Sequence, residues 1–251
     1  MKAMVFAAGL GTRLGKITED IPKALVPLGG VPALQIVLEK LRRAGFAPIV
    51  VNACYKAERI EAFLAENPRL GRGVLLSREP GPEPLETGGG IKFARALLED
   101  SPRFLAHNAD IISDADLADF VSKSRPEALA SLLVTPARPE DTRFFLFDDS
   151  LRLRGWTDSL TGEVRGCGSP EGLRKMSFTG IHLLSSGVFA LMRDFPERFS
   201  ITDFYISQAA SQPIYGVEAA DLHIVDIGSP ESLEKARRLF VEGFFEQRHG
   251  V

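Results

Sequence analysis

Between Ala3 and Asn108, apolar runs of strand length alternate with segments whose apolar residues recur at helical spacing. No other feature constrains the chain as much, because strand–helix–strand crossovers of this length build a parallel sheet with helices on its faces. Ala3 to Ala8 is the first apolar run and ends in glycines. From Pro32 to Ala44, Leu34, Val37, Leu38 and Leu41 fall on one helical face, with Pro32 suited to the first turn and Gly45 to the stop. Pro48 to Asn52 reads as a second strand, and Lys56 to Glu66 as a helix with Ile60, Phe63 and Leu64 inward. Val74 to Ser77 is a third strand, Ile91 to Glu99 a third helix and Arg103 to Asn108 a fourth strand.

The second half is less regular. Leu129 to Thr135 has the character of a central strand, and Phe144–Phe147 and Leu151–Trp156 flank an Asp148-Asp149-Ser150 turn, which predicts a hairpin. Ser177–Leu184 and His223–Ile227 read as further strands, and Ser229–Phe245 as a final helix capped by Ser229, with Glu231 in its first turn. There is no repeat and no linker long enough to separate domains, so one α/β unit over residues 1–251 is expected, with a small antiparallel excursion in its second half.

Composition narrows the function classes. With 251 residues and 45% apolar content the chain can bury a full core, and a net charge of −3 offers no basic surface for nucleic acid. Two cysteines, Cys54 and Cys167, cannot form a disulfide framework and point to a reducing, cytoplasmic setting. No apolar run is long enough to cross a bilayer, so no membrane partner is expected. The N-terminal run faintly imitates a signal peptide, but two glycines and Arg13 interrupt it, and it reads better as a buried first strand. His107, His182, His223 and His249 lack metal-ligand spacing, and no Ser–His–Asp pattern emerges.

Open α/β sheets collect ligands at the carboxyl ends of their strands. The segment Phe6-Ala7-Ala8-Gly9-Leu10-Gly11-Thr12-Arg13-Leu14 sits at such an end, and its small residues let successive amides turn toward an anion. A P-loop would need Gly-Lys-Ser/Thr, which is absent. A dinucleotide fingerprint would need Gly or Ala where Leu14 stands, and an acid where Asn52, Ala53 and Cys54 end the second strand. Together with Pro22-Lys23-Ala24-Leu25-Val26-Pro27, the loop instead resembles the signature of sugar-1-phosphate nucleotidyltransferases. The resemblance implies a single-domain Rossmann-like (GT-A-like) fold, mixed but mostly parallel, with residues 1–125 as the nucleotide half, 126–251 as the sugar-phosphate half, and no β-helix after them.

Further roles follow from the same resemblance. Ala7, Ala8, Gly9, Gly11 and Thr12 would wrap a nucleoside triphosphate. Arg13 would neutralise the triphosphate and departing pyrophosphate, and Lys23 would meet the α-phosphate and incoming sugar phosphate. The family pattern usually carries a proline shortly after the Arg; Gly15-Lys16 stands there, which predicts a more flexible loop. Three consecutive glycines before a helix are entropically costly, which suggests that something approaches closely at Glu86-Thr87-Gly88-Gly89-Gly90. That segment matches the one that contacts base and ribose, giving Glu86, Thr87, Gly88 and Gly89 as nucleotide-binding residues. The run Glu83–Ile91 looks most like the bacterial N-acetylmuramate-1-phosphate uridylyltransferase branch, with mannose-1-phosphate guanylyltransferases close to it.

Asp110, after a strand end, and Asp226, in Asp226-Ile227-Gly228-Ser229-Pro230, match the family's two magnesium carboxylates, and Mg²⁺ favours such oxygen ligands beside substrate phosphates. Ala109 stands where relatives carry glycine. Asp114, Asp116 and Asp221 read as surface or capping residues. On the sugar side, Asn108, Thr179 and Gly180 are the candidates, with Gly155 and Glu163 in a poorly matched stretch; Trp156 reads as packing beside the hairpin. Thr202 or Asp203 is expected to cap a helix.

The resemblance thus implies NTP + sugar 1-phosphate → NDP-sugar + pyrophosphate, with NTP and sugar 1-phosphate as partners. UTP with N-acetylmuramate 1-phosphate or a similar hexose 1-phosphate is favoured over a mannose-1-phosphate guanylyltransferase, a phosphocholine-type cytidylyltransferase or a non-catalytic sugar-nucleotide sensor. A glycosyltransferase would want Asp-x-Asp, and Asp114-Ala115-Asp116 lies past the strand end, at a helix start. Self-association is compatible with the sequence, which sets no oligomeric state.

Overall fold

The first apolar run forms β1 (Lys2–Phe6), with its three central residues buried. The structure, a computed structural model, describes residues 1–139 and 141–243. Two 3-10 turns, Thr12–Thr18 and Lys23–Leu25, lead to a short hairpin of β2 (Pro27–Leu28) and β3 (Val31–Pro32). Then come α1 (Ala33–Arg43), β4 (Ile49–Ala53), α2 (Ala57–Glu66), α3 (Pro68–Gly71) and β5 (Val74–Arg78). Helix α1 buries Leu34, Val37, Leu38 and Leu41, the face its spacing predicts. The next helix starts earlier than predicted: α4 spans Glu86–Phe93 and α5 Arg95–Leu98, so the three glycines lie inside a helix rather than ahead of it.

Next are β6 (Arg103–Asn108), β7 (Ile111–Ser113), α6 (Leu117–Lys123), β8 (Ala130–Pro136), β9 (Arg143–Phe147), β10 (Leu153–Asp158) and β11 (Val164–Arg165). Finally β12 (Arg174–Ser185), α7 (Val188–Leu191), α8 (Ile201–Gln208), β13 (Ile214–Glu218), β14 (Ile224–Asp226) and α9 (Pro230–Val241) complete the described elements. Ser229 caps α9 in a capping box with Ser232. The predicted end of this helix at Phe245, and His249, lie outside the described residues. Ser200, not Thr202 or Asp203, caps α8, its side chain accepting from the Thr202 amide. Among the described residues no helix is long and apolar enough to cross a membrane.

The fold is mixed α/β. The main sheet runs β11-β10-β9-β12-β6-β1-β4-β5, with β8 also paired to β12 and β13 to β8. Strands β6, β1, β4 and β5 are parallel, and their register aligns Phe6 with both Asn52 and Asn108. That row marks the carboxyl edge from which the segments at Ala7, Glu79 and Ala109 depart. The antiparallel excursion is β9–β12, with β12 reaching from β9 at one end to β6 at the other. The long strand β12 breaks register against β8 between Phe178 and His182, where Gly180 takes φ +78°. One apolar core lies under α1 and α9, another under α4 and α8.

Candidate active site

The loop after β1 is held from below. The Ala7 amide donates to the carbonyl oxygen of Asn52 (3.1 Å) and to its Oδ1 (3.0 Å). Gly11 turns the chain at φ +69°, and a Cβ there would meet Thr18 and Lys23. The Thr18 hydroxyl, 3.0 Å from the Gly11 carbonyl and 3.1 Å from that of Gly15, clamps the turn shut. Gly15 sits at φ +53°, ψ −126°, a region reserved for glycine, so the residue replacing the family's usual proline serves a turn of its own. Among the described residues, the amides of Ala8, Gly9, Leu10 and Gly11 donate to no acceptor. Successive free N–H groups of this kind form an anion-binding nest.

Four charged side chains meet beyond that loop. Lys23, held by its 3-10 turn, donates to Asp110 Oδ2, and its Nζ also lies 3.6 Å from Asp226 Oδ1. Arg13 Nη2 reaches Asp226 Oδ2 at 3.9 Å. Lys23 is nearly buried, whereas Arg13 is largely exposed and free to follow a ligand. The two carboxylates are brought together by β14 pairing antiparallel with β7, which sets Asp226 opposite Ile111, and by the Ile227 amide donating to the Asp110 carbonyl at 3.0 Å. Asp114 is no surface residue. It is buried, and accepts from the His223 amide at 2.9 Å, tying the lead into β14 onto the end of β7. Asp116 caps α6, as predicted.

Gly228 completes the cluster. A Cβ there would lie 2.5 Å from Arg13 Nη2, 2.7 Å from Asp226 Oδ1 and 3.0 Å from Lys23 Nζ, so only a bare backbone leaves this space open. Its amide donates to Asp226 Oδ1 at 2.6 Å. Among the described residues no three His, Cys, Asp or Glu side chains converge as a metal cage. Two carboxylates that already share one cation, Lys23, do suit Mg²⁺, which takes one or two carboxylates and completes its shell from phosphates and water.

The glycines of α4 face the chain itself. A Cβ on Gly88 would strike the Phe199 ring, one on Gly89 the Glu197 carbonyl, and one on Gly90 would come within 2.6 Å of Asn52 Nδ2. The Gly88 and Gly89 amides, expected to meet nucleotide, both donate to the Phe199 carbonyl (2.9 and 3.1 Å), and the Thr87 hydroxyl accepts from the Ile201 amide (3.0 Å). The close approach read from the triplet is therefore helix packing. Glu86, at φ +63°, keeps its carboxylate at the surface, 3.3 Å from Arg198 Nε.

Sequence reasoning missed the pair beneath this helix. Glu79, buried at the end of β5, accepts from Asn52 Nδ2 and, at 2.8 Å, from the Leu85 amide. With Asn52 also taking the Ala7 amide, two side chains join the phosphate-loop candidate to the start of α4. Burial pushes the Glu79 carboxyl pKa up, while the Leu85 and Asn52 donors oppose the shift by favouring the ionised form. The available signal was a polar residue near the carboxyl end of each of two neighbouring strands, Asn52 in β4 and Glu79 just past β5.

Three sugar-side candidates have neighbours within the chain itself. Thr179 is buried in the β12 break and donates to the Leu133 carbonyl at 2.8 Å, so its hydroxyl is already used. A Cβ on Gly155 would lie 2.5 Å from the Arg165 carbonyl oxygen and 2.7 Å from Cys167 Sγ, so this glycine makes room for the returning chain. Glu163 projects from the β10–β11 turn, with Arg165 Nε 3.9 Å away. Gly180 makes room for Asn108, whose Nδ2 would lie 2.6 Å from a Cβ. Trp156 packs partly buried beside the hairpin, under the Arg165 guanidinium. His107 is fully buried with its Nδ1 2.8 Å from the Asn108 carbonyl, and desolvation pushes its pKa down to about 3, so it stays neutral near pH 7.

Residues 2–144 match the Nucleotidyl transferase family. The chain is 34% identical over 235 residues to an N-acetylmuramate alpha-1-phosphate uridylyltransferase of Caulobacter vibrioides, covering 92% of this chain and 93% of that protein. It is 37% identical over 155 residues to the Neisseria meningitidis serogroup B protein of the same name, covering 60% of this chain and 66% of that one. The crystal structure of HddC from Yersinia pseudotuberculosis superposes with a TM-score of 0.77 at 25% identity, covering 95% of this chain and 99% of that one.

Proposed function

The chain belongs to the nucleotidyl transferase family, and we propose that it transfers a uridylyl group from UTP to N-acetylmuramate 1-phosphate or a closely similar hexose 1-phosphate. A sugar-phosphate oxygen attacks the α-phosphorus, the new P–O bond forms in line with the breaking α–β bridge, and pyrophosphate leaves. The acceptor phosphate is already ionised at neutral pH, so no general base is needed and catalysis rests on positioning and charge neutralisation.

The observation that carries this reading is the convergence of Arg13, Lys23, Asp110 and Asp226 around the bare face of Gly228. The free amides of Ala8 to Gly11 orient the triphosphate, with Ala7 and Thr12 flanking them. Arg13 follows the departing pyrophosphate, and Lys23 serves the α-phosphate and the acceptor phosphate. Asp110 and Asp226 would hold a magnesium ion, which would supply charge neutralisation for the triphosphate. Glu86 lines the nucleotide side, and Asn108 with Gly180 the acceptor side.

The test is a matrix of four nucleoside triphosphates against a panel of sugar 1-phosphates, read by pyrophosphate release. UTP with N-acetylmuramate 1-phosphate should give the highest kcat/KM. Preference for GTP with mannose 1-phosphate would move the substrate assignment, and silence across the whole matrix would overturn the reaction.

The buried pair beneath α4 gives a further expectation. Glu79→Gln presents an N–H₂ group to one of two donors that both need an acceptor. A lost buried hydrogen bond costs about 1–3 kcal/mol, so the KM for UTP should rise roughly tenfold while kcat changes less. An unchanged KM in steady-state kinetics would remove Glu79 from nucleotide positioning.

A further inference from the structure

We infer that Lys23 is a resident counter-ion that keeps the two carboxylates closed to a divalent cation until nucleotide arrives, so that metal and nucleotide enter together. The inference rests on the functional reading above and adds an order of binding to it.

The Lys23 ammonium contacts both carboxylates that the functional reading assigns to the metal. Its Nζ bonds Asp110 Oδ2 and lies 3.6 Å from Asp226 Oδ1. Its side chain is 12% exposed, against 50% for Asp226, so the ammonium is embedded between its partners rather than lying over them. The Lys23–Leu25 turn, with the Val26 amide donating to the Lys23 carbonyl at 3.1 Å, anchors the backbone of Lys23, so that only its side chain need move to release the carboxylates.

Charge counting gives the same direction. Arg13 and Lys23 balance Asp110 and Asp226, so the cluster is neutral. A bare divalent ion would leave it at +2 with an ammonium competing for the same oxygens, which Coulomb repulsion at this range opposes. A metal–triphosphate complex is anionic. It supplies phosphate oxygens to which Lys23, three donors and no acceptor, can transfer its bonds. Gly228 keeps the path of that swing open, since a side chain there would contact Lys23 Nζ, Arg13 and Asp226 together.

The experiment measures Mn²⁺ binding by electron paramagnetic resonance without turnover, on the full chain. Nucleotide-free wild type should bind Mn²⁺ weakly. Lys23→Met and Lys23→Gln, two neutral variants checked by thermal unfolding, should each bind it at least about tenfold more tightly, while Lys23→Arg, which keeps the charge, should stay weak. Adding an α,β-methylene nucleoside triphosphate, each base in turn, should make wild type bind metal and nucleotide as one complex. If wild type and the neutral variants bind Mn²⁺ alone equally well, the inference fails while nucleotide binding leaves the functional reading intact. If none of the four analogues binds with or without metal, the reading fails and takes the inference with it.

Discussion

Arg13→Ala and Asp110→Ala will each lower kcat by about a thousandfold or more under the proposed mechanism, the first by removing a cation from beside the anionic transition state and the second by removing a carboxylate that would hold the divalent ion and positions Lys23. Neither change should disturb the fold. Arg13 is 69% exposed and meets Asp226 only at 3.9 Å, and exposed ion pairs contribute roughly 0–1 kcal/mol. Asp110 is more enclosed, at 25% exposed, but its loss leaves Lys23 a second carboxylate at 3.6 Å. Thermal unfolding should therefore shift by a few degrees at most while pyrophosphate release collapses. Asp110→Ala should lose more than Arg13→Ala, since Asp110 pairs with Lys23 and is proposed to hold the divalent ion, whereas Arg13 is largely exposed and is proposed to meet only the triphosphate. Near-normal turnover in either variant would contradict its role.

Gly89→Ala will unfold the protein at markedly lower denaturant concentration, a destabilisation of about 2–4 kcal/mol. An alanine within a helix ordinarily stabilises by up to about 1 kcal/mol over glycine. Here the new methyl would collide with the Glu197 carbonyl and sit 2.9 Å from Leu85 Cβ, both held by backbone, so neither can step aside cheaply. Helix α4 would have to retreat, breaking the bonds from the Gly88 and Gly89 amides to the Phe199 carbonyl. Gly9→Ala is the matched control: nothing lies within 4 Å of its Cβ, and stability should be unchanged. Urea titration of the pair checks the contrast, and equal midpoints would show that α4 does not rest on the 197–201 segment through its glycines.

The same glycine triplet shows where reading a chain in one dimension stops. Its cost in chain entropy correctly signals a close approach, but composition does not say what approaches. Thr179 shows the same limit from the other side: its neighbourhood resembles the family's sugar-facing strand, and only the fold reveals that its hydroxyl donates to the Leu133 carbonyl beside the register break in β12. Glu79 and Asn52 escaped notice because their partners, Leu85 and Ala7, lie on different loops.

What the amino-acid order determined by itself was set by near neighbours. The strand and helix faces of β1, α1 and β4 follow from residue spacing, and the glycine loop with its trailing arginine and lysine announces an anion site. Tertiary structure alone decided which distant groups share that site. Asp110 and Asp226 meet only because β14, far along the chain, pairs with β7. Gly88 and Gly89 turn inward only because the 197–201 segment returns to cover α4. The physical reason is that backbone preference acts over a few residues, whereas strand pairing and the placement of buried polar groups are settled by contacts that form only once the sheet has closed.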